Sequence, residues 1–273
     1  KPVYLENKLL GFCAAMCHHT DIGGRMPEGQ SPDSTEIYQE GLRIPPLKLY
    51  HRGQPNETLF RLIEKAVRTP EEVLGDIQAQ LASLYSGETE LTRFITKMGI
   101  EGYQLAIKEL INYTERRTRQ FLSNLPDGTW TFTDQLDNDG ITDNTIYIVA
   151  TVNKKGSNLN VDFTGSSPPS KGAIQGVFSS MVGMVYIVLK SIIGNDVPST
   201  SGMLRPISVT APPGSIVNPQ LPAPVACRYM VARVITHALW GVFAQIAPEK
   251  AMGCPGGSMA FLYLSGYDKT KIP

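Results

Sequence analysis

The segment Cys17-His18-His19-Thr20-Asp21-Ile22-Gly23-Gly24 constrains the fold of this chain more than any other part of the sequence. It places a carboxylate and two imidazoles, half of the four histidines in the chain, directly before a pair of glycines. Glycine permits sharp turns that other residues resist. Imidazole and carboxylate groups gathered at a turn are typical of an active-site edge, where they bind a metal or transfer a proton.

The residues before this segment predict a β-hairpin. Val3-Tyr4-Leu5 and the run from Leu9 to Met16 are typical of two strands, and Glu6-Asn7-Lys8 is typical of the turn between them. If the second strand continues through the histidines, its side chains alternate between the two faces of the sheet. The positions of the candidate site residues then follow from this alternation.

In such a strand His19 and Asp21 share one face, about 7 Å apart, and both can bind one ion. Cys17 lies on the same face as a candidate third ligand, whereas His18 points away and would orient a group or carry a proton. An imidazole and a carboxylate suit zinc, manganese or iron(II). Catalytic zinc usually takes three protein ligands, so the missing ones would come from elsewhere. A hydrogen-bonded strand end without metal is the alternative.

These residues resemble the hydantoinase B/oxoprolinase family. The segment His18 to Gly24 and the later segment Glu36 to Pro46, which reads Glu-Ile-Tyr-Gln-Glu-Gly-Leu-Arg-Ile-Pro-Pro, carry the likeness. Further similar motifs follow in order at Asn56-Glu57, Gly75 to Gln80, Leu125 to Gly128, Asp137 to Gly140, Val161 to Ser166, Arg205 to Ile207 and Ala211 to Ser215. The family includes N-methylhydantoinase subunits, acetone and acetophenone carboxylase subunits, and the C-terminal half of 5-oxoprolinase. The second segment resembles the hydantoinase-type members more than the eukaryotic 5-oxoprolinases.

The resemblance implies ATP-dependent chemistry on a lactam, imide or ketone. It also implies a partner, a hydantoinase A-type subunit with an actin-like ATPase fold that holds ATP and magnesium, within a hetero-oligomer. A divalent metal (zinc, manganese or iron) is implied, held partly by His18, His19 and Asp21. Family members continue upstream into a Gly-Gly-x-His-x-x-Asp segment that resembles the other half of the metal site. We therefore expect this chain to be an internal portion of a longer subunit.

The expected activity is that of an ATP-dependent amidohydrolase acting on cyclic amides. The partner phosphorylates a carbonyl oxygen of a lactam or cyclic imide, and water activated by the metal opens the ring. Candidate catalytic residues are His18, Glu40 and Asp76, as acids, bases or orienting groups, although structural roles for the two acids stay open. The alternatives are a subunit of an ATP-dependent ketone carboxylase and a non-catalytic scaffold subunit.

Composition excludes several other classes of protein. Balanced charge, with 25 basic and 25 acidic residues, gives no general attraction to nucleic acid or membrane. The apolar run from Gly176 to Leu189 is too short to span a bilayer and predicts a buried helix. Four cysteines are too few for a disulfide framework, so Cys227 and Cys254 are expected to be buried. The cytoplasm is the expected compartment. The sequence contains no glycine-rich phosphate-binding motif, which agrees with ATP being held by a partner.

The pattern of elements predicts an α+β fold with mixed sheets and several helices. We divide it into residues 1–125, with the metal-motif strands, a site-lining loop from Met26 to Thr35 and helices, and residues 126–273, with a β-hairpin and an α+β region. Predicted helices cover Glu57–Arg68, Pro70–Ser86, Gly87–Met98, Glu101–Leu122 and Ala226–Ala247. Predicted strands cover Thr129–Leu136, Thr145–Asn153, Leu159–Phe163 and Pro206–Thr210, with extended pieces at Ile37–Leu42 and Pro46–Tyr50. His51 and His237 are expected to be packed side chains, and Asp137 to Gly140 a turn.

Overall fold

The computed structural model of the chain describes residues 1–253. Within this range there are five α-helices and eight β-strands, arranged in three separate sheets. Their order is β1 (Pro2–Leu5), β2 (Lys8–Phe12), β3 (Tyr50–His51), β4 (Gln54–Pro55), α1 (Glu57–Ala66), α2 (Pro70–Met98), α3 (Ile100–Ser123), β5 (Gly128–Leu136), β6 (Ile146–Lys155), β7 (Asn158–Asp162), α4 (Phe178–Ile193), β8 (Ile207–Thr210) and α5 (Tyr229–Ile246). The predicted α+β class is confirmed.

The largest sheet has four strands in the order β5-β6-β7-β8. The first three are antiparallel neighbours, and β8 pairs with β7 in parallel. The predicted hairpin between β6 and β7 is confirmed, with Lys155 opposite Asn158. Alternate residues of β6 from Ile146 to Val152 are buried because one face of the sheet meets the core.

Helices α4 and α5 pack together, and α5 also packs on β5 and β6. Their apolar faces give the main core its largest buried side chains, among them Met181, Leu189, Ile235 and Leu239. Gly241 allows α5 to approach the sheet closely, because a Cβ there would lie 2.5 Å from the ring of Phe132. The predicted buried helix after Gly176 is thereby confirmed.

Within residues 1–253, none of the helices is long and apolar enough to cross a membrane.

The prediction of two helices between Pro70 and Met98 is wrong, because α2 is a single helix of 29 residues. A glycine inside a helix costs only about 1 kcal/mol relative to alanine, so Gly87 does not have to break it. The glycine instead makes room for the N-terminal segment, since a Cβ there would lie 3.1 Å from Cys13 Sγ. The helix ends at Gly99, whose φ of +76° separates it from α3.

The N-terminal hairpin forms as predicted, but its second strand stops at Phe12. Its partner β1 extends only to Pro2, and the last backbone bond runs from Cys13 N–H to the Lys1 carbonyl. A strand that leaves its partner has no ladder to satisfy its backbone groups. The residues from Cys13 to His19 therefore have no regular structure, and the alternation expected for the histidines does not apply.

Several smaller predictions differ from the structure. Ile37–Gln39 is a 3-10 turn rather than an extended piece, and Pro46 to Leu49 is irregular. His51 is exposed on β3, so the expectation that it is packed is wrong. Cys227 is buried as predicted, and Cys254 lies outside the described residues. The division of the chain at residue 125 stays a prediction.

Candidate active site

Three potential metal ligands, Cys17, His19 and Asp76, meet beside the loop that follows β2. The Nε2 atom of His19 lies 3.8 Å from Cys17 Sγ, and its Nδ1 atom lies 3.4 Å from the Asp76 carboxylate. All three ligand atoms lie within 4.8 Å of one another. Asp76 belongs to α2 and the other two residues to the loop, so the fold joins groups that are distant in sequence.

The donor set of this cluster fits a divalent metal. The Nδ1 atom of His19 is buried, yet it makes no hydrogen bond to any residue in the described range 1–253. The nearby Asp76 oxygen is within ion-pair distance but does not satisfy it. Buried polar atoms are nearly always paired, so an unsatisfied ring nitrogen calls for an explanation. A thiol, an imidazole and a carboxylate are ligands of zinc and related metals.

The same three side chains also have the connectivity of a nucleophilic triad. The thiol of Cys17 faces one nitrogen of His19, and the carboxylate of Asp76 faces the other. A cysteine nucleophile, its base and an orienting acid are arranged in this order. The 3.8 Å between Sγ and Nε2 is within the range of a hydrogen bond that involves sulfur, whereas the 3.4 Å between Nδ1 and the Asp76 carboxylate is longer than a formed hydrogen bond. Geometry alone thus permits two chemical uses of Cys17.

Asp21 lies apart from this cluster and holds the glycine turn. Its side chain is 1% exposed and forms a salt bridge of 2.8 Å with Arg68. It also accepts hydrogen bonds from the backbone N–H groups of Gly23 and Arg68. Gly24 has a φ of +81°, and a Cβ there would lie 2.7 Å from backbone atoms of residues 39–41. The aspartate and the glycine pair therefore fix the sharp turn after the histidines.

A cavity of about 620 Å³ opens beside His19. Its volume lies within the usual range for small-molecule sites. Three groups of residues line it: His18, His19, Thr20, Glu28 and Gln30 from the N-terminal loops, Ser180 and Met184 from α4, and Ala226, Arg228, Tyr229 and Ala232 around the start of α5. His18 is exposed at this cavity. The loop from Met26 to Thr35 lines it, as the sequence predicted.

Glu40 ties the N-terminal loops to the segment before α5. Its Oε1 atom accepts hydrogen bonds from the N–H groups of Val225 at 2.5 Å and Ala226 at 2.9 Å. Burial raises the pKa of the Glu40 carboxyl, and these two hydrogen bonds together with the charge of Arg228 partly oppose that rise. The carboxylate is engaged by backbone groups next to the cavity wall.

Sequence reasoning singled out Asp76 and named Cys17 as a candidate ligand, but it did not pair either with His19 through α2. It missed Arg68, Gln30 and Arg228 altogether. These residues belong to no local motif with chemical meaning. The helix that carries Asp76 was predicted as Pro70–Ser86, but the prediction of a helix does not reveal what its second turn contacts.

Comparison with known proteins gives strong matches over almost the whole chain. The family model described as Hydantoinase B/oxoprolinase matches residues 1–272. The B subunit of a putative D-/L-hydantoinase from Pseudomonas sp. (strain NS671) is 34% identical over 262 residues, which cover 91% of this chain and 44% of that protein. The beta subunit of caprolactamase from Pseudomonas jessenii is 31% identical over 270 residues, which cover 98% and 46%. The chain therefore spans about half the length of these relatives.

Two solved structures share the fold. The ATP-dependent caprolactamase from Pseudomonas jessenii superposes with a TM-score of 0.84 at 32% identity, over 92% of this chain and 43% of that one. Nucleotide-free acetone carboxylase superposes with a TM-score of 0.82 at 14% identity, over 91% and 35%. The second likeness concerns the fold alone because so little sequence is shared.

Proposed function

This chain belongs to the hydantoinase B/oxoprolinase family, and we propose that it is part of the subunit that opens the ring in an ATP-dependent hydrolase of cyclic amides or imides. One observation carries the proposal: His19 belongs both to the cluster with Cys17 and Asp76 and to the wall of the cavity. A substrate in the cavity would thus lie next to the only group of three potential metal ligands found within residues 1–253.

We propose Cys17, His19 and Asp76 as the ligands that this part of the chain contributes to a metal. A divalent ion such as zinc, manganese or iron would supply a Lewis acid that polarises a carbonyl and lowers the pKa of water. Asp21 is a positioning residue in this proposal, since Gly23 and Arg68 already engage its carboxylate. His18 is exposed at the cavity and remains a candidate further ligand or proton carrier.

Ring opening needs a proton at the ring nitrogen when the C–N bond breaks, because an amide anion is a poor leaving group. In the proposal His18 delivers this proton, since its imidazole lines the cavity and imidazole is the most common general acid in enzymes. Asp76 reaches the proposed metal position from α2, with its carboxylate 3.4 Å from Nδ1 of His19. Glu40 supports the cavity wall by holding Val225 and Ala226 rather than by touching substrate.

The proposal assigns ATP to a partner of hydantoinase A type, which would phosphorylate the carbonyl oxygen. The hydantoinase and caprolactamase relatives are both named as subunits, and the related caprolactamase is described as ATP-dependent. The sequence itself has no Gly-x-x-x-x-Gly-Lys-Ser/Thr loop to bind phosphates. Carboxylation of a ketone is the second candidate, since the proposed metal ligands would serve that reaction as well and acetone carboxylase has the same fold. A non-catalytic scaffold is the third.

The test uses the complete subunit purified with its partner, supplied with lactams, hydantoins and simple ketones. We expect ATP-dependent hydrolysis of a cyclic amide, detected by mass spectrometry of the opened product. His19→Ala should lower turnover at least about 100-fold, while His51→Ala, at an exposed histidine on β3, should leave it unchanged. Full activity in the His19 variant would contradict the proposal. A product formed only with bicarbonate would favour the carboxylase instead.

A further inference from the structure

One positively charged side chain on the cavity wall is not engaged by any carboxylate. Arg228 lines the cavity and is exposed, and its guanidinium makes no hydrogen bond or salt bridge with any of the residues 1–253. The charge of Arg228 acts on the carboxyl of Glu40. That carboxylate is already held by the N–H groups of Val225 and Ala226, so the two side chains are neighbours without forming an ion pair.

The wall around Arg228 is positive for a second reason. Arg228 is the N-cap residue of α5, and Ser180 lies in the first turn of α4. Both helices begin without a side-chain cap. The N-terminal end of a helix carries partial positive charge and unpaired N–H groups, which favour anions. Residues from the starts of two helices, together with one guanidinium, thus line the same space of about 620 Å³.

Gln30 provides an independent sign that this cavity takes a polar ligand. Its carboxamide oxygen is buried and has no hydrogen-bond partner in the part of the chain that the structure describes. Leaving such a group unsatisfied costs about 1–3 kcal/mol. Gln30 also lines the cavity, so its unpaired oxygen is an acceptor for an N–H donor of a ligand, and a cyclic amide carries such a donor next to its carbonyl.

We propose that Arg228 binds the anionic oxygens of the ligand in this cavity, either the phosphoryl group placed on the amide by the partner or a carboxylate of the substrate itself. The planar fork of a guanidinium matches both groups through two parallel hydrogen bonds. The Gln30 oxygen then accepts a hydrogen bond from the ring N–H of the substrate before phosphorylation, because phosphorylation of the amide oxygen leaves the ring nitrogen in a C=N bond without that hydrogen. This inference rests on the proposed function for the phosphoryl source, whereas anion binding itself does not depend on turnover.

Glu28 is the opposing charge in this cavity. Its carboxylate lines the same wall and is exposed, and it forms no salt bridge within residues 1–253. It repels an anion bound at Arg228. Removing this charge should therefore strengthen anion binding, which gives a variant whose effect is opposite in sign to that of losing the arginine.

The experiment measures binding by isothermal titration calorimetry on the complete subunit, without ATP. The probes are inorganic phosphate, a cyclic amide that bears a carboxylate, and the same ring without it. We expect Arg228→Met to weaken phosphate binding at least about tenfold and Glu28→Gln to tighten it. Arg93→Met, which removes an equal charge from an exposed position on α2, should change neither.

The outcomes distinguish a phosphoryl group from a substrate carboxylate, and they distinguish anion binding at Arg228 from the proposed hydrolase function. If Arg228→Met weakens binding of the carboxylated ring but not of phosphate, the anion is a carboxylate of the substrate. If it weakens binding of phosphate, the anion is the phosphoryl group. Equal binding of both anions by wild type and Arg228→Met, or binding by neither protein, would overturn the inference. Arg228-dependent binding without hydrolysis of any cyclic amide would leave it standing and remove the proposed function instead.

Discussion

The carboxylate of Asp76 on α2 lies 3.4 Å from Nδ1 of His19 in the loop after β2. This contact joins the N-terminal hairpin to the helical region at the edge of the cavity. Its two members are partly exposed, with side chains 21% accessible for His19 and 40% for Asp76, so the contact contributes little to stability. In our proposal its importance is that it brings two ligands of one metal together.

Asp76→Asn keeps the shape of the side chain and removes its charge, so we expect metal affinity to fall about 10- to 100-fold with the fold unchanged. The measurement is elemental analysis of the complete subunit after dialysis against a chelator. Glu71→Gln, at an exposed acid in the first turn of the same helix, serves as the matched control. Equal metal content in all three proteins would remove Asp76 from the site.

Cys17 has two possible uses, and one substitution separates them. If the thiol is a ligand, Cys17→Ser should lose metal on dialysis and recover activity when excess metal is added, because hydroxyl oxygen is a weaker ligand than thiolate. If it is a nucleophile, the activity should stay lost at full metal content. Our proposal predicts recovery. Cys13→Ser, at a half-buried thiol, should behave like wild type throughout.

The buried salt bridge between Asp21 and Arg68 should matter for stability rather than for metal. Asp21→Asn removes the charge that strengthens its hydrogen bonds, and we expect the free energy of unfolding to fall by about 2 kcal/mol. Asp33→Asn breaks the exposed pair with Arg25 and should cost much less, because exposed ion pairs contribute little to stability. Urea unfolding measures both. A loss of metal per folded subunit in Asp21→Asn, at unchanged stability, would make Asp21 a ligand instead.

The sequence predicted the elements whose causes are local. The turn at Glu6-Asn7, the hairpin between β6 and β7 and the apolar helix α5 each follow from periodicity and turn residues within a short window. The wrong prediction at Gly87 has the opposite reason, because the cause there is not local. A glycine there could break α2 or admit Cys13, and only the tertiary contact decides between them.

The candidate site could be predicted only in part for a related reason. The motif identified His19 and Asp21 as important, but which acid faces the imidazole depends on where β2 ends and how α2 packs. Asp21 instead forms a salt bridge with Arg68, and the acid beside His19 is Asp76. The proposed anion-binding role of Arg228 could not be predicted from the sequence. It rests on the position of Arg228 in the cavity wall and on its lack of a salt bridge within residues 1–253.

Asp139 clamps two loops and should make stability depend on acid pH. Its carboxylate accepts bonds from the N–H groups of Ile141, Thr142, Lys171 and Gly172 and from the Thr142 hydroxyl. Burial raises the pKa of this carboxyl, but the hydrogen bonds outweigh burial and lower it from 3.8 to about 2. The predicted turn from Asp137 to Gly140 thus gains its rigidity from this one side chain.

Because the folded pKa of Asp139 is depressed, the folded state binds fewer protons than the unfolded chain between about pH 2 and 3.8. Its contribution, about 2 kcal/mol, is therefore present above pH 3.8 and lost as the pH falls toward 2. We expect wild type to be more stable than Asp139→Asn at pH 6, with the gap narrowing as the pH drops below 4. Urea unfolding at several pH values measures this gap, with Asp143→Asn, at a nearby exposed acid, as the control. A gap that stays constant with pH would show that the ionised carboxylate is not what holds the loops together.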